Sequence, residues 1–97
     1  HGTGHWLGID VHDQSPALDE DWEFVKFAPG MVFTVEPGLY IPKDDETVPK
    51  EYRGLSVRIE DDILITKTGI ENLTANIPKT IEEVEAACNA DYKEFLP

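Results

Sequence analysis

The clearest alternation of apolar and polar positions runs from Ser56 to Thr66. Successive side chains of a strand point to opposite faces, so a period of two residues predicts a strand with two chemically different sides. Arg58 and Glu60 fall on the same side. The opposite side is apolar and comprises Val57, Ile59, Ile63 and Ile65. We therefore predict one continuous strand over this segment.

Two shorter segments also have the composition of strands. Residues 31–36 are rich in β-branched and aromatic side chains and lie between Pro29-Gly30, a predicted turn, and Pro37-Gly38, a predicted break. Residues 5–11 alternate in parity, which predicts a short strand. Extended structure is expected to resume over residues 39–41.

The last predicted element is a helix. Thr80 followed by Glu83 is the sequence signature of a capping box, and the apolar spacing after it predicts a helix through Cys88. Residues 14–22 and 42–49 are polar, contain proline and are expected to form exposed connections. The predicted elements are thus strands first and a helix last.

Length and charge narrow the functional classes. The 97 residues fit one domain or part of one, and the chain starts at His1 without a leader segment, so we expect an internal piece of a longer protein. The 20 acidic and 8 basic residues give a formal charge of -12, which disfavours nucleic acid as a partner. No stretch reaches transmembrane length, and the single cysteine, Cys88, suits a reducing cytoplasm.

The first candidate for chemistry is the segment His1–Asp13, which contains three histidines and three glycines. Imidazole is a common metal ligand and carries protons near neutral pH, and glycine lets the backbone approach a bound group. His5 and His12 would share one site only if the strand bends or ends near Gly8. The alternative is a glycine-rich turn with its histidines at the surface.

Two acidic motifs follow. Glu36 ends an apolar run just before a backbone break, and a carboxylate buried there needs a metal ion, an arginine or a proton as its partner. Alternatively, the strand is an edge and Glu36 faces water. Arg58 lies two residues before Glu60, a spacing that suits a cation supporting a metal-binding carboxylate. The alternative for this pair is an exposed salt-bridge ladder.

Together, His5, Glu36 and Glu60 offer one imidazole and two carboxylates on separate strands. This ligand set suits manganese, cobalt, iron or zinc. A carboxylate can also bridge two ions around a shared hydroxide, as in two-metal aminopeptidases. Three ligands are too few for two ions.

In this order, the three motifs resemble those of the pita-bread (creatinase/aminopeptidase) metallopeptidases, and the resemblance covers nearly the entire chain. Trp6 and the stretches 36–41, 52–54 and 71–74 are most similar to bacterial-type Xaa-Pro aminopeptidases, the aminopeptidase P group. The resemblance implies an α+β pita-bread fold, with a curved, mainly antiparallel sheet and a C-terminal helix. Residues 1–97 would form the C-terminal portion of the catalytic domain, with the N-terminal half absent.

The resemblance also implies a role for each candidate residue. His5, Glu36 and Glu60 would bind metal, with Glu60 bridging two ions and Glu36 also moving protons. His1 would line the pocket for the proline side of the substrate, and His12 would hydrogen-bond the scissile carbonyl. Arg58 would support the metal-binding carboxylates. Two aspartates on an earlier hairpin would complete a site for two manganese(II) ions, with cobalt, zinc or iron as alternatives.

The implied activity is removal of the N-terminal residue from peptides with proline in second position, by attack of a metal-bridging hydroxide. Prolidase, an Xaa-Pro dipeptidase, is the nearest alternative. A non-catalytic pita-bread module that binds peptides or acts as a scaffold is another, and an unrelated acidic interaction protein is a third. We expect the fragment alone to be inactive and the full-length protein to be a cytoplasmic homo-oligomer. Its expected partners are Xaa-Pro peptides and the missing N-terminal half, not nucleic acid or membrane.

Overall fold

A computed structural model describes residues 2–14, 24–91 and 93. The strands pair in antiparallel fashion as a three-stranded sheet of order β1-β4-β5 and a two-stranded sheet of β2 and β3. This arrangement, with its helix at the C-terminal end, confirms the predicted α+β class. The elements are β1 (Val32–Val35), β2 (Gly38–Tyr40), a 3-10 turn (Lys50–Tyr52), β3 (Ser56–Arg58), β4 (Asp61–Ile65), β5 (Ile70–Asn72) and α1 (Ile81–Asn89).

The two sheets share one antiparallel ribbon, formed by residues 32–40 and 56–64. The β1–β4 register ends at the pair Val35 and Asp61, and the β2–β3 register begins with Gly38 and Arg58, without an offset between them. The amide of Ile59 donates to the carbonyl of Pro37 at 3.1 Å and so links the two ladders. The ribbon is therefore interrupted in its ladder but not shifted in its pairing.

The prediction of one continuous strand over residues 56–66 is wrong at Ile59 and Glu60, where β3 ends and β4 has not begun. The reason lies in the partner strand, which is interrupted at Glu36 and Pro37. Proline has no N–H to donate to a ladder, so regular pairing cannot continue across it. The alternation of the two faces nevertheless persists, since the register is the same on both sides of the break.

The prediction of a strand over residues 5–11 is also wrong. Only residues 3–7 run beside β1, and the chain then bends back, with the amide of Asp13 donating to the carbonyl of Trp6 at 3.1 Å. The bend begins at Gly8, where an added Cβ would lie 1.8 Å from a carboxylate oxygen of Asp13. The bend that His5 and His12 would need to share a site is therefore present. Most of the loop predicted over 14–22 lies outside the described residues.

One side of the ribbon and of β5 forms an apolar face. Of the residues that the structure describes, Ile63 is the one buried hydrophobic side chain, at 8% exposure, while Ile59 is 40% exposed and Ile70 is 68% exposed. The apolar face consists of Phe33, Val35, Ile59, Ile63, Ile65 and Ile70.

Helix α1 begins with the predicted capping box. The Thr80 hydroxyl accepts from the amide of Glu83 at 3.2 Å, and the Glu83 carboxylate accepts from the amide of Thr80 at 3.1 Å. Hydrogen bonds from the amides of Lys79 and Thr80 lower the pKa of Glu83, so the carboxylate stays ionised in the box. In the described part of the chain, no helix has the length and apolar composition needed to cross a membrane.

The capping box gives a first test of the fold. Thr80→Ala removes the acceptor for a helix amide and should destabilise α1 locally by about 1 kcal/mol. Hydrogen–deuterium exchange of the α1 amides should therefore become about fivefold faster. Thr68→Ala, at an exposed position in the β4–β5 turn, serves as the control. Unchanged exchange in Thr80→Ala would show that packing, not the cap, sets the stability of this helix.

Candidate metal centre

Three backbone segments lie side by side at the break of the ribbon. Residues 3–7 hydrogen-bond to the edge of β1 that β4 leaves open: the amide of Thr34 donates to the carbonyl of His5 at 2.9 Å, and that of Glu36 to the carbonyl of Thr3 at 2.7 Å. An added Cβ on Gly4 would lie 2.2 Å from the carbonyl oxygen of Thr34, so only glycine permits this approach. His5 is thereby held beside β1.

Glu36 and Glu60 face each other across the ribbon. Val35 pairs with Asp61, so one further step along the same register brings Glu36 opposite Glu60. Glu36 is buried, whereas Glu60 is exposed. Each of His5, Glu36 and Glu60 offers a ligand atom, and these atoms all lie within 4.8 Å of one another. The break in the ladder therefore gathers the three predicted metal ligands.

The Glu36 carboxylate has three partners. Its Oε1 accepts a hydrogen bond from the Thr34 hydroxyl at 2.6 Å and lies 3.0 Å from Nε2 of His5. Its Oε2 accepts from the Arg58 guanidinium. Glu36 is 5% exposed, so its charge is compensated by neighbours and not by bulk water. The alternative of an edge strand with Glu36 facing water is wrong.

The imidazole of His5 is oriented by the backbone next to it. Its Nδ1 lies 2.9 Å from the carbonyl oxygen of Trp6, which can only accept, so Nδ1 carries a proton and donates. Nε2 is then the atom that faces Glu36 Oε1. When Nδ1 holds the proton of a neutral imidazole, Nε2 has a free lone pair, as Glu36 Oε1 does. Two acceptor atoms 3.0 Å apart are stable together only with a proton or a metal ion between them. Nδ1–H donation to a carbonyl is also the usual arrangement of a metal-binding histidine.

His12 and His1 are the other two histidines predicted to belong to the site. His12 is exposed, and its ring centroid lies 4.3 Å from that of His5 with the two planes at 71°. The bend after Gly8 thus brings His12 next to His5 and so to the ligand group, by which we mean His5, Glu36 and Glu60 together. His1 lies outside the described residues.

Arg58 contacts Glu36 and not a ladder of surface charges. Its guanidinium binds Glu36 Oε2 and also hydrogen-bonds Tyr40. Partial burial lowers the pKa of Arg58, but the hydrogen bonds to Glu36 and Tyr40 outweigh this effect and raise it overall. Arg58 therefore supplies a permanent positive charge beside the buried carboxylate.

The electrostatic environment keeps Glu36 ionised. The hydrogen bond from Thr34 lowers the pKa of Glu36, burial opposes that shift, and the hydrogen bond and the charge of Arg58 lower the pKa further. Metal binding needs a deprotonated carboxylate. One imidazole and two carboxylates at these separations fit a divalent cation such as manganese, cobalt, iron or zinc.

Thr34 was not among the predicted site residues. It is 2% exposed, and its hydroxyl accepts from the amide of His5 at 3.0 Å while it donates to Glu36 at 2.6 Å. One side chain therefore joins the two ligand-bearing segments. The signal in the sequence was its spacing, because Thr34 and Glu36 are two apart on a strand and share a face.

The family follows from the sequence match that accompanies this geometry. Residues 1–67 match metallopeptidase family M24, which is more than half of the chain. The chain belongs to family M24. It corresponds to the C-terminal part of the family's catalytic domain, and its fold is that of aminopeptidase P structures.

Individual M24 proteins show how close the similarity is. Xaa-Pro aminopeptidase 1 of Streptomyces coelicolor is 59% identical over 85 residues, which are 88% of this chain and 17% of that protein. The structure of Pseudomonas aeruginosa aminopeptidase PepP superposes with a TM-score of 0.81 at 51% identity, covering 89% of this chain and 19% of that one.

A third comparison is with zinc-substituted Escherichia coli aminopeptidase P in complex with product. It has a TM-score of 0.76 at 53% identity and covers 94% of this chain and 21% of that one. The chain thus spans about a fifth of the length of the M24 relatives that it matches.

The Thr34 hydroxyl offers a test of the site's internal support. In the complete protein, Thr34→Val keeps the shape of the side chain but removes the donor to Glu36 and the acceptor for His5. We expect metal affinity to fall about 10- to 100-fold, the range typical of lost contacts to metal ligands. Competition titration with a chelating dye measures it.

Thr34→Ser is the matched control for this substitution, because it keeps the hydroxyl and should bind metal almost as well as the parent. Equal metal affinity in Thr34→Val and Thr34→Ser would contradict a supporting role for the hydroxyl.

Proposed function

We propose that the protein carrying these residues is a metal-dependent Xaa-Pro aminopeptidase, and that His5, Glu36 and Glu60 are metal ligands in its active site. The observation that carries this proposal is the approach of their ligand atoms to within 4.8 Å in a chain of family M24. The curated relative and the two solved structures compared above all bear aminopeptidase names.

The proposed cofactor is a pair of manganese(II) ions, with cobalt, zinc or iron as alternatives that the same ligand chemistry accepts. Glu60 is the proposed bridging ligand, since it is exposed and lies opposite the buried Glu36. Two aspartates from outside these residues would complete the site. Bound ions would supply Lewis acidity at the scissile carbonyl and a nucleophilic hydroxide at neutral pH.

The side chains around the ligands divide the remaining work. To His12, exposed beside His5, we assign donation of a hydrogen bond to the carbonyl oxygen of a bound peptide as negative charge develops there. Glu36, held ionised by Thr34 and Arg58, can accept and return a proton while it serves as a ligand. We assign the proline side of the substrate pocket to His1.

The proposed substrate is a peptide with proline in second position, and the product is its free N-terminal residue. The names of the relatives favour this specificity over that of prolidase, the dipeptide-limited alternative. The intact ligand group favours a catalytic protein over a scaffold module, because a module that only binds peptides has no need of converging metal ligands.

The proposed partner of the apolar face is the N-terminal half of the same protein. Two side chains of this face, Val35 and Ile59, are each 40% exposed although they flank the ligand group. Burial of such a surface would stabilise the complete domain. The proposal extends to a cytoplasmic homo-oligomer that binds neither membrane nor nucleic acid, and the charge of -12 supports the last exclusion.

Glu60→Gln in the complete enzyme tests the bridging role. Loss of the anion leaves the cations poorly neutralised, so we expect lower metal content and loss of peptide hydrolysis. Metal analysis and a peptidase assay on the same preparation measure both. Glu46→Gln, at an exposed position in the connection after β2, is the control. Full activity with full metal content in Glu60→Gln would refute the assignment.

Substrate length separates the two proline-directed activities. An aminopeptidase should release the first residue from an Xaa-Pro-Xaa tripeptide, and a prolidase should act only on the Xaa-Pro dipeptide. We expect the complete enzyme to cleave the tripeptide with the higher kcat/KM. A tripeptide with alanine in second position tests the need for proline. Cleavage of the dipeptide alone would transfer the proposal to the prolidase branch.

A further inference from the structure

A second polar network lies at the start of β4, next to Glu60 in the chain. Asp61, the residue after Glu60, accepts from the Thr74 hydroxyl at 2.7 Å and from Nζ of Lys79 at 2.9 Å. Lys79 Nζ also donates to the carbonyl of Thr74 at 2.6 Å and to that of Ile77 at 3.0 Å. We call Asp61, Thr74 and Lys79 the clasp.

The clasp continues the β4–β5 pairing past the end of β5. Ile63 pairs with Asn72, and the amide of Leu73 donates to the carbonyl of Asp62 at 2.9 Å. At the next position the Thr74 hydroxyl accepts from the amide of Asp62 at 3.1 Å, in place of a backbone carbonyl. On the side away from β1, the first residues of β4 are therefore fixed by the backbone of Leu73 and by the Thr74 side chain, beyond the end of β5.

The hydrogen-bond donors of Lys79 are matched in number by their acceptors. The ammonium group of Lys79 has three protons and three acceptors, and the Lys79 and Asp61 side chains are only 20% and 23% exposed. Asn72 Oδ1 accepts from the amide of Thr74 at 2.9 Å and so fixes the backbone that carries the hydroxyl. This assigns a structural purpose to the stretch 71–74, which the metal ligands and their contacts leave unexplained.

Glu60 depends on this anchoring because it lies at the break in the ribbon, outside the regular backbone pairing of β3 and β4. It lies between β3 and β4 and is exposed, so its own surroundings restrain it little. The clasp holds the adjoining residue, and Lys79 lines the same hollow as Glu60, Val57 and Ile59. The peptide that joins Glu60 to Asp61 is thus held from the β5 side, while β1 holds the ribbon from the other.

We propose that Thr74 and Lys79, acting through Asp61, are positioning residues that fix the Glu60 carboxylate where it meets Glu36 and His5. This inference rests on the proposed function, because it takes Glu60 to be a metal ligand. Thr74 and Lys79 do not touch the ligand group themselves. They hold the strand end from which one ligand projects, and an exposed glutamate without that support would lose much of its preorganisation.

The test uses Thr74→Val and Lys79→Met in the complete enzyme, each of which removes polar contacts of the clasp at nearly constant side-chain size. We expect the affinity for manganese, measured by calorimetric titration of the metal-stripped protein, to fall about 10-fold in each. At saturating manganese, kcat should fall while KM for an Xaa-Pro-Xaa peptide changes little, because the proposed role of the clasp is to position a metal ligand and not to bind substrate.

Matched controls separate positioning from general stability. Thr74→Ser keeps the hydroxyl and should restore manganese affinity to within about twofold of the parent. Thr68→Val and Lys67→Met, at exposed positions in the β4–β5 turn, should leave affinity and kcat unchanged. A clasp variant with a lower melting temperature but the parent's manganese affinity would overturn the proposal, since the network would then serve folding alone.

The remaining outcomes are equally decisive. If Thr74→Val does not fold, Lys79→Met carries the same test, and failure of both to fold would make the clasp a folding determinant and overturn the inference. Glu60→Gln, titrated in parallel, identifies which proposal fails. Lost affinity in Glu60→Gln with unchanged clasp variants would refute only the positioning role, whereas unchanged affinity in Glu60→Gln would refute the ligand role on which it rests.

Discussion

The shared register of the ribbon is the constraint on which the candidate metal centre depends. Because β1–β4 and β2–β3 are paired without an offset, the interruption between them leaves Glu36 and Glu60 opposite each other with no backbone ladder between their side chains. Carboxylates brought face to face in this way repel one another unless cations intervene. The fold therefore creates, at one point, both an electrostatic cost and the geometry by which a metal ion would relieve it.

The neighbours of Glu36 compensate its negative charge, since bulk water does not reach this buried carboxylate. Thr34 and Arg58 each bind one oxygen of the carboxylate, and His5 lies on the Thr34 side. These neighbours keep Glu36 ionised without saturating its lone pairs, so it remains available to a further cation. A buried carboxylate with only apolar neighbours would have become protonated and unable to bind metal.

Sequence alternation was enough to place Arg58 and Glu60 on one side of the ribbon and the isoleucines on the other, because parity survives as long as the register is kept. It could not reveal the break at Ile59 and Glu60, which is imposed by a proline in the partner strand. Nor could it show that residues 3–7 lie along β1, since that contact depends on hydrogen bonds between segments distant in the chain.

Thr34 and Lys79, the supporting side chains, could not be found from the sequence for a different reason. Thr34 and Lys79 are common residue types whose importance comes only from what they touch. Thr34 could have been suspected from its spacing to Glu36, whereas nothing in the local sequence of Lys79 indicates that it binds Asp61, eighteen positions earlier. Motifs therefore picked out the three candidate metal ligands, and the structure was needed to find the side chains that contact and support them.

The pairing of the ribbon also sets where the chain can tolerate changes of length. A one-residue deletion within 37–40 or 56–59 would destroy the register that the β1–β4 and β2–β3 ladders share on either side of Glu36 and Glu60. The connection over 42–53 closes on the hydrogen bond from the amide of Gly54 to the carbonyl of Ile41, at 2.9 Å, and lies outside the paired residues. Insertions there would leave both glutamates in place. Evolution is thus free to remodel the connection, while the lengths of the paired segments that flank Glu36 and Glu60 are fixed to the residue.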